Sequence, residues 1–249
     1  RKSTAAAPAA APRAAERPSV FHARAQPEKP KTLLLPPKSN SNTRVIAYLK
    51  SRGIDGGLIE QCIRSGQLYE SLPYHNAVFV GMDRNGTPRY ACLRGIGTDF
   101  KGEATGSDKR FSFALPATGE SRMLCVFESA IDLLSYATMA QAGGLSWSQH
   151  LLSLAGVYKP QKETQEHRLP LALTQYLKDH AEIKTICLCL DNDMTGRSAT
   201  EAIRQQLAER YKVASAFPRQ GKDYNDWLCI RMGLQPAKEN PMTERSFAR

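Results

Sequence analysis

The chain has 249 residues, 41% of them hydrophobic and 23% charged, enough to bury the core of one large or two small domains. No apolar run approaches the roughly 18 residues that a membrane-spanning helix needs, and no secretory core is present, so a spanning-helix protein is excluded and a soluble, cytoplasmic one is expected. The formal net charge is +10, but residues 1–40 carry eight Lys or Arg against two Glu, a net +6, and the rest of the chain only the remaining +4.

Those first 40 residues also hold 7 of the 15 prolines and ten alanines, with little that is large and apolar. Such a composition cannot bury enough surface to offset the entropy of ordering, and residues 1–40 are expected to be a disordered basic linker. Its charge favours nucleic acid through counterion release. A solvated connector between two domains explains it equally well, and an organelle transit peptide is a minor reading that Glu16 and Glu28 weaken. Because the sequence opens on Arg1 rather than Met, a fragment or a processed product is expected.

From Thr43 the pattern changes. Val45, Ile46 and Leu49 lie at helical spacing, Gly53 stops that helix, and a second runs from about Gly57 to Ser65 with Leu58, Ile59, Cys62 and Ile63 on one face. Ala77–Met82 and Pro88–Arg94 are predicted strands of a hairpin turned at Asp83-Arg84-Asn85-Gly86. A Gly- and Lys-bearing loop over Gly102–Arg110 precedes Phe111-Ser112-Phe113, and the whole of 41–118 is expected to be a small α+β module.

A second pattern fills 119–235. Leu124-Cys125-Val126-Phe127 and Ile186-Cys187-Leu188-Cys189-Leu190 are unbroken apolar runs, as suits strands covered on both faces. Leu151–Ala155, closed by Gly156, and Lys212–Phe217 complete four predicted strands. They alternate with helices over Ile131–Gln141, ended by Gly143-Gly144, over Leu169–His180, and over Ser198–Arg210 with a Ser198-x-x-Glu201 capping box. The expectation is an α/β fold with a parallel sheet flanked by helices. Residues 236–249 are expected to be a tail. The six cysteines contain no Cys-x-x-Cys and at least three fall in predicted buried strands, so they are expected to be reduced core residues rather than zinc ligands.

Both long apolar runs end in acid: Glu128 after the first, Asp191-Asn192-Asp193 after the second. Parallel sheets place their sites beyond the carboxyl ends of the strands, and a spacing of two turns Asp191 and Asp193 to the same side. Carboxylates gathered there repel one another unless a cation lies between them, which points to a hard divalent ion bound by oxygen. Asp-x-Asp is also a turn pattern, and Ser129-x-x-Asp132 is also a capping pattern.

Glu128-Ser129-Ala130-Ile131-Asp132 together with Asp191-Asn192-Asp193 resembles the paired signatures of the toprim domain, shared by topoisomerases, DnaG-type primases and some nucleases; Ser129 stands where that family more often has Gly. Tyr48-Leu49-Lys50-Ser51-Arg52-Gly53-Ile54, and the strand pair from Val78 with its trailing Arg94, are similar to the opening of the DnaG-type primase core. The order of parts, from about 43 to 232, is also that of plasmid and mobile-element proteins. The resemblance implies a toprim-like parallel sheet, Glu128 as general acid or base, and Mg²⁺, with Mn²⁺ as a substitute, held by Asp191 and Asp193 with Asp132 beside them. Gly221-Lys222-Asp223-Tyr224-Asn225-Asp226 resembles the acidic motif that holds a further metal in primases, through Asp223; Asp223 as a helix cap and Trp227 as a core residue are the alternative.

Arg94, Lys109, Arg110, Arg197 and Lys222 are then candidates to bind phosphates of single-stranded DNA and nucleoside triphosphates. For Lys109 and Arg110 a solvated loop explains the charges as well. The leading expectation is a primase-like nucleotidyltransferase of a mobile element, working with replication or conjugation proteins. A toprim nuclease, and a non-catalytic module that binds single-stranded DNA or a partner, are the alternatives.

Overall fold

The computed structural model of the protein describes residues 32–143, 147–156 and 169–236. The expected linker before residue 32, Gly144, and the expected tail from residue 237 lie outside the described residues. Among the described residues no helix is long and apolar enough to cross a membrane.

Two short helices come first, α1 (Thr43–Ser51) and α2 (Gly56–Arg64), each burying the face expected of it: Val45 and Leu49 in one, Leu58, Ile59 and Cys62 in the other. Gly53 reverses the chain between them at φ +79°, and a Cβ there would stand 2.9 Å from Met232 Sδ. Asp55 caps α2 by accepting from Leu58 N at 2.9 Å.

The strands β1 (Leu68–Glu70), β2 (Ala77–Met82), β3 (Pro88–Arg94) and β4 (Lys101–Glu103) form an antiparallel sheet in that order. The β2–β3 hairpin turns where expected, with Asp83 Oδ1 accepting from Asn85 N at 2.9 Å and Thr87 N at 3.0 Å. The Gly- and Lys-bearing loop is shorter than expected: Lys101–Glu103 pairs with Cys92–Arg94, and the loop begins only after Glu103. A three-residue polar edge strand carries no hydrophobic alternation to betray it.

Residues 32–40 correct the expected linker boundary. Leu33 and Leu35 pack on the cluster formed by Tyr69, Val78, Val80, Ala91 and Leu93. Leu34 N donates to Thr105 O at 2.9 Å, Ser39 N to Glu70 O at 2.8 Å, and Tyr69 OH to Pro36 O at 2.9 Å. The cause is the alternation in Leu33-Leu34-Leu35: Leu33 and Leu35 cover a sheet face that would otherwise meet water, while Leu34 points outward at 62% exposure.

The second sheet comprises β5 (Ala114–Leu115), β6 (Met123–Phe127), β7 (His150–Ser153), β8 (Thr185–Cys189) and β9 (Lys212–Ser215), in the order β5-β7-β6-β8-β9. The four strands β7, β6, β8 and β9 are parallel, as expected; β5, too short to predict, joins the β7 edge antiparallel. Around them lie α3 (Ala130–Ala142), α4 (Leu171–Asp179), α5 (Met194–Leu207) and α6 (Tyr224–Arg231). Helix α5 starts four residues earlier than the Ser198 capping box predicts, because Asp193 caps it, accepting from Gly196 N at 2.8 Å.

Alternate residues of each central strand go to opposite faces. Leu124, Val126, Ile186 and Leu188 pack with Ala172 and Leu173 of α4 and Ile203 and Leu207 of α5. Cys125, Phe127, Cys187 and Cys189 pack with α3, with Tyr224 and Leu228 of α6, and onward with Leu49, Leu58, Phe79 and Tyr90. One core thus runs through both sheets; the change of sheet falls between β4 and β5, ahead of residue 118, without a break in packing. All six cysteines are buried and free, as expected of core residues.

Candidate active site

Strands β6 and β8 run side by side in register, Phe127 opposite Cys189, so both end at the same edge of the sheet. The chain leaves β6 through Glu128 and β8 through Leu190 and Asp191. Helix α3 begins at once behind Glu128: Ser129 Oγ accepts from Asp132 N at 3.3 Å and donates to Asp132 Oδ2 at 2.6 Å. Asp132 is therefore a helix-start residue and a member of the acidic edge together, 5% exposed, with Asn225 N donating to its Oδ1 at 3.3 Å.

Helix α5 starts close behind the Asp motif. A Cβ on Gly196 would lie 2.2 Å from the Asp191 carbonyl oxygen, so only glycine permits this approach. The loop before α6 is brought to the same place by Asn192 N, which donates to Lys222 O at 2.7 Å. Gly221 turns that loop at φ +73°, and Asp223 caps α6 by accepting from Asp226 N at 2.7 Å. Lys222 Nζ stands 3.5 Å from Asp191 Oδ2 and 3.6 Å from Asp193 Oδ2, so both aspartates lie beside its ammonium group.

These groups open onto a cleft of about 1350 Å³ lined by Glu128, Asp132, Asp191, Asp223 and Lys222. The first module contributes Arg52, Arg94 and Lys101 to the same cleft. Burial and mutual repulsion hold the acids well above the usual carboxylate range. Asp191 is pushed up to about 7 by burial and then by Glu128 and Asp223. Asp223 also rises to about 7, by burial and then Asp132, and Asp132 to about 6, by burial and then Asp191. Burial raises Glu128 as well, ahead of Asp132 and Asp193.

Among the described residues Glu128 Oε2 is buried and has no hydrogen-bond partner. An orphaned carboxylate oxygen beside acids that repel one another fits a hard divalent cation with oxygen ligands. Glu128, Asp132, Asp191 and Asp223 are carboxylates that open onto the cleft. Asp193 stands beside it, with Oδ1 engaged in capping α5 and Oδ2 facing Lys222.

Of the cations expected at the site, Lys222 and Arg94 line the cleft. Arg197 donates to Asn192 Oδ1 and lies 4.8 Å over the Phe217 ring, at the back of the Asp motif. Lys109 and Arg110 are not among the lining residues: Lys109 Nζ pairs with Glu103 at 3.0 Å and Arg110 Nη2 with Asp108 at 2.6 Å. The loop they occupy is tied down by its own acids. Arg52 was not anticipated as a site residue. Its Nε is buried and unpartnered among the described residues, and its charge offsets a small part of the rise that burial and neighbouring acids impose on Asp132 and Asp223. The signal was a cation directly before the chain-reversing Gly53.

The boundaries between known families fall close to the change of sheet. Residues 47–119 match the family described as Protein of unknown function (DUF3991), and residues 125–228 match the Toprim-like family. A 65 kDa protein of Zymomonas mobilis subsp. mobilis is 26% identical over 211 residues, 80% of this chain and 33% of that protein, so the chain spans about a third of its relative's length. The DnaG catalytic core superposes with a TM-score of 0.51 at 14% identity, covering 78% of this chain and 70% of that one. The primase fragment of the bacteriophage T7 primase-helicase protein gives 0.50 at 19% identity, covering 74% and 69%.

Proposed function

We propose, on the premise that residues 125–228 form a toprim-like domain within a primase-core fold, that the chain carries a Mg²⁺-dependent phosphoryl-transfer site for nucleic acid. Its reaction is that of a primase-like nucleotidyltransferase: nucleoside triphosphates are joined into short primers on single-stranded DNA. The observation that carries the reading is the meeting, in one cleft, of Glu128, Asp191 and Asp223 from three separate chain segments with Arg52, Arg94 and Lys101 from the first module. A binding surface for phosphates has no use for buried acids that repel them.

Asp191 and Asp223, with Asp193 and Asp132 close behind, would hold Mg²⁺ or Mn²⁺, which when bound screens phosphate charge and aligns a triphosphate. Glu128 sits with an unpartnered oxygen at the cleft and a raised pKa. It is suited to take the proton of an attacking 3′-hydroxyl, since burial and its acidic neighbours favour its protonated form. Arg52, Arg94 and Lys101 neutralise the template and triphosphate phosphates and fix their direction along the cleft. Lys222 keeps Asp191 and Asp193 facing one point. The proposed setting is the cytoplasm, with replication or transfer proteins of a mobile element as partners.

The test incubates the chain with labelled nucleoside triphosphates, single-stranded DNA and Mg²⁺, alongside Asp191→Ala and Glu128→Gln, while the template is monitored for cleavage. Metal-dependent oligomers lost in both variants are the expected result. Template cleavage without synthesis would replace the reading with a nuclease. DNA binding that survives both substitutions, with neither reaction seen, would replace it with a binding module.

A further inference from the structure

The cleft occupies the carboxyl edge of the second sheet, but a separate group of donors gathers at the opposite edge, where the parallel strands begin. His150 opens β7, His180 follows α4, and Glu182 lies in the turn that leads into β8. One donor atom from each lies within 4.8 Å of the others. Glu182 Oε1 is 2.9 Å from His180 Nδ1 and 3.8 Å from His150 Nε2.

We propose that His150 Nε2, His180 Nδ1 and Glu182 Oε1 form a structural Zn²⁺ site that clamps the α4–β8 turn to the start of β7. Ligands at the usual 2.0–2.1 Å from a tetrahedral zinc stand about 3.3 Å apart. The two separations from Glu182 bracket that spacing, and the imidazole nitrogens lie within 4.8 Å of each other, so the two rings must draw together to close the site. Two imidazoles and one carboxylate suit zinc, whereas Mg²⁺ favours an all-oxygen shell.

The surroundings hold the ligands in place. Tyr176 stacks on the His180 ring, centroids 4.3 Å apart, and its hydroxyl lies 3.0 Å from His150 Nδ1. Zn²⁺ takes the lone pair of Nε2, so the ring proton of His150 sits on Nδ1 and is donated to Tyr176, the outer-shell contact that orients a zinc-bound histidine. Ala117 N–H reaches the same Nδ1 at 3.4 Å, a contact long enough to give way. The His150 side chain is 7% exposed, that of His180 22% and that of Glu182 49%, so two ligands are held from within while the third leaves an entrance and a water position.

The test strips the full chain with a chelator, restores Zn²⁺, and measures bound metal after dialysis by mass spectrometry, with affinity from competition against a chromophoric indicator. One equivalent per chain is expected. His180→Ala and Glu182→Gln should each bind about a hundredfold more weakly, while Lys109→Ala, in the first module and outside both groups of acids, should bind Zn²⁺ as the parent does. Thermal midpoint supplies a second readout: added Zn²⁺ should raise it in the parent and in Lys109→Ala but not in His180→Ala. If His180→Ala does not fold, the half-exposed Glu182→Gln decides the same question. Equal zinc content in the parent and Glu182→Gln, or no retained zinc in the parent, overturns the proposal.

Discussion

Replacing Asp191 by Asn removes one charge from the acidic edge while keeping the side chain's shape, and it should stabilise the protein in a pH-dependent way. In the folded chain the Asp191 carboxyl is moved from its ordinary 3.8 to about 7, by burial first and by Glu128 and Asp223 next. Unfolded, it ionises near the ordinary value. Between about pH 4 and pH 7 the folded protein therefore holds a proton that the unfolded chain has released. The stability contributed by the neutral carboxyl is complete below the unfolded pKa and is lost as pH rises through the folded one. Three pH units at about 1.4 kcal/mol each give about 4 kcal/mol as an upper bound. Glu128 and Asp223 share the same repulsion, and Lys222 offsets part of it, so about 2 kcal/mol is the expected gain at pH 8 without divalent metal. At pH 4 the variant and parent should agree within about 0.5 kcal/mol. Urea unfolding followed by far-UV circular dichroism measures both. Adding Mg²⁺ at pH 8 should stabilise the parent and narrow the gap, because binding to the folded state alone shifts the equilibrium. A variant less stable than the parent at pH 8, or a gain that does not change with pH, would refute the reasoning.

The same geometry sets three further outcomes. Gly196→Ala must push α5 away from the Asp191 carbonyl, which the absent Cβ now approaches to 2.2 Å; a loss of about 2 kcal/mol by urea unfolding and a severe loss of primer synthesis are expected. Arg94→Ala, on the cleft, should weaken triphosphate affinity about tenfold by fluorescence titration, whereas Lys109→Ala and Arg110→Ala, each already paired with its own acid, should change it less than about twofold. Replacing Leu33 and Leu35 together by Ser strips the cover from the Tyr69 cluster and should cost about 2–4 kcal/mol, measured by the urea midpoint; an unchanged midpoint would mean that the segment does not support the sheet.

The parts of this fold that were legible in the sequence are those with length and periodicity. The runs ending at Phe127 and Leu190 announced buried parallel strands, and the strands' abrupt acidic ends placed Glu128 and Asp191 at one edge. Short elements were not legible. Ala114–Leu115 is two residues long, and Lys101–Glu103 has no apolar residue, so both strands exist only because a neighbour offers a free edge. Glu128, Asp132, Asp191 and Asp223 gather at one cleft as the strand ends implied, whereas the capping of α5 by Asp193 depends on where the helix starts and not on the Asp-x-Asp spacing. Lys109 and Arg110 looked available because their partners, Glu103 and Asp108, are revealed only by strand pairing and a local turn. Arg52 was overlooked for the opposite reason, since its importance arises from α6, 173 residues downstream at Asn225, packing beside it.

Asn225 is one of the residues that join the two halves of the molecule. It is 1% exposed; its backbone N–H holds Asp132, and its side-chain amide donates to the Arg52 carbonyl and to Ser135 Oγ, each at 2.9 Å. The side chain that fastens the late helix to the early module therefore belongs to the residue that steadies one wall of the cleft. Arg52 belongs to the turn after α1, Asp132 to the middle of the chain and Asn225 to the last described helix, so the cleft takes its shape only when all three have come together. A chain still emerging, or one cut before α6, has acids in its sequence but no arranged site. The arrangement of the cleft thus depends on α6 docking against the first module, a contact in which the Asn225 amide takes part.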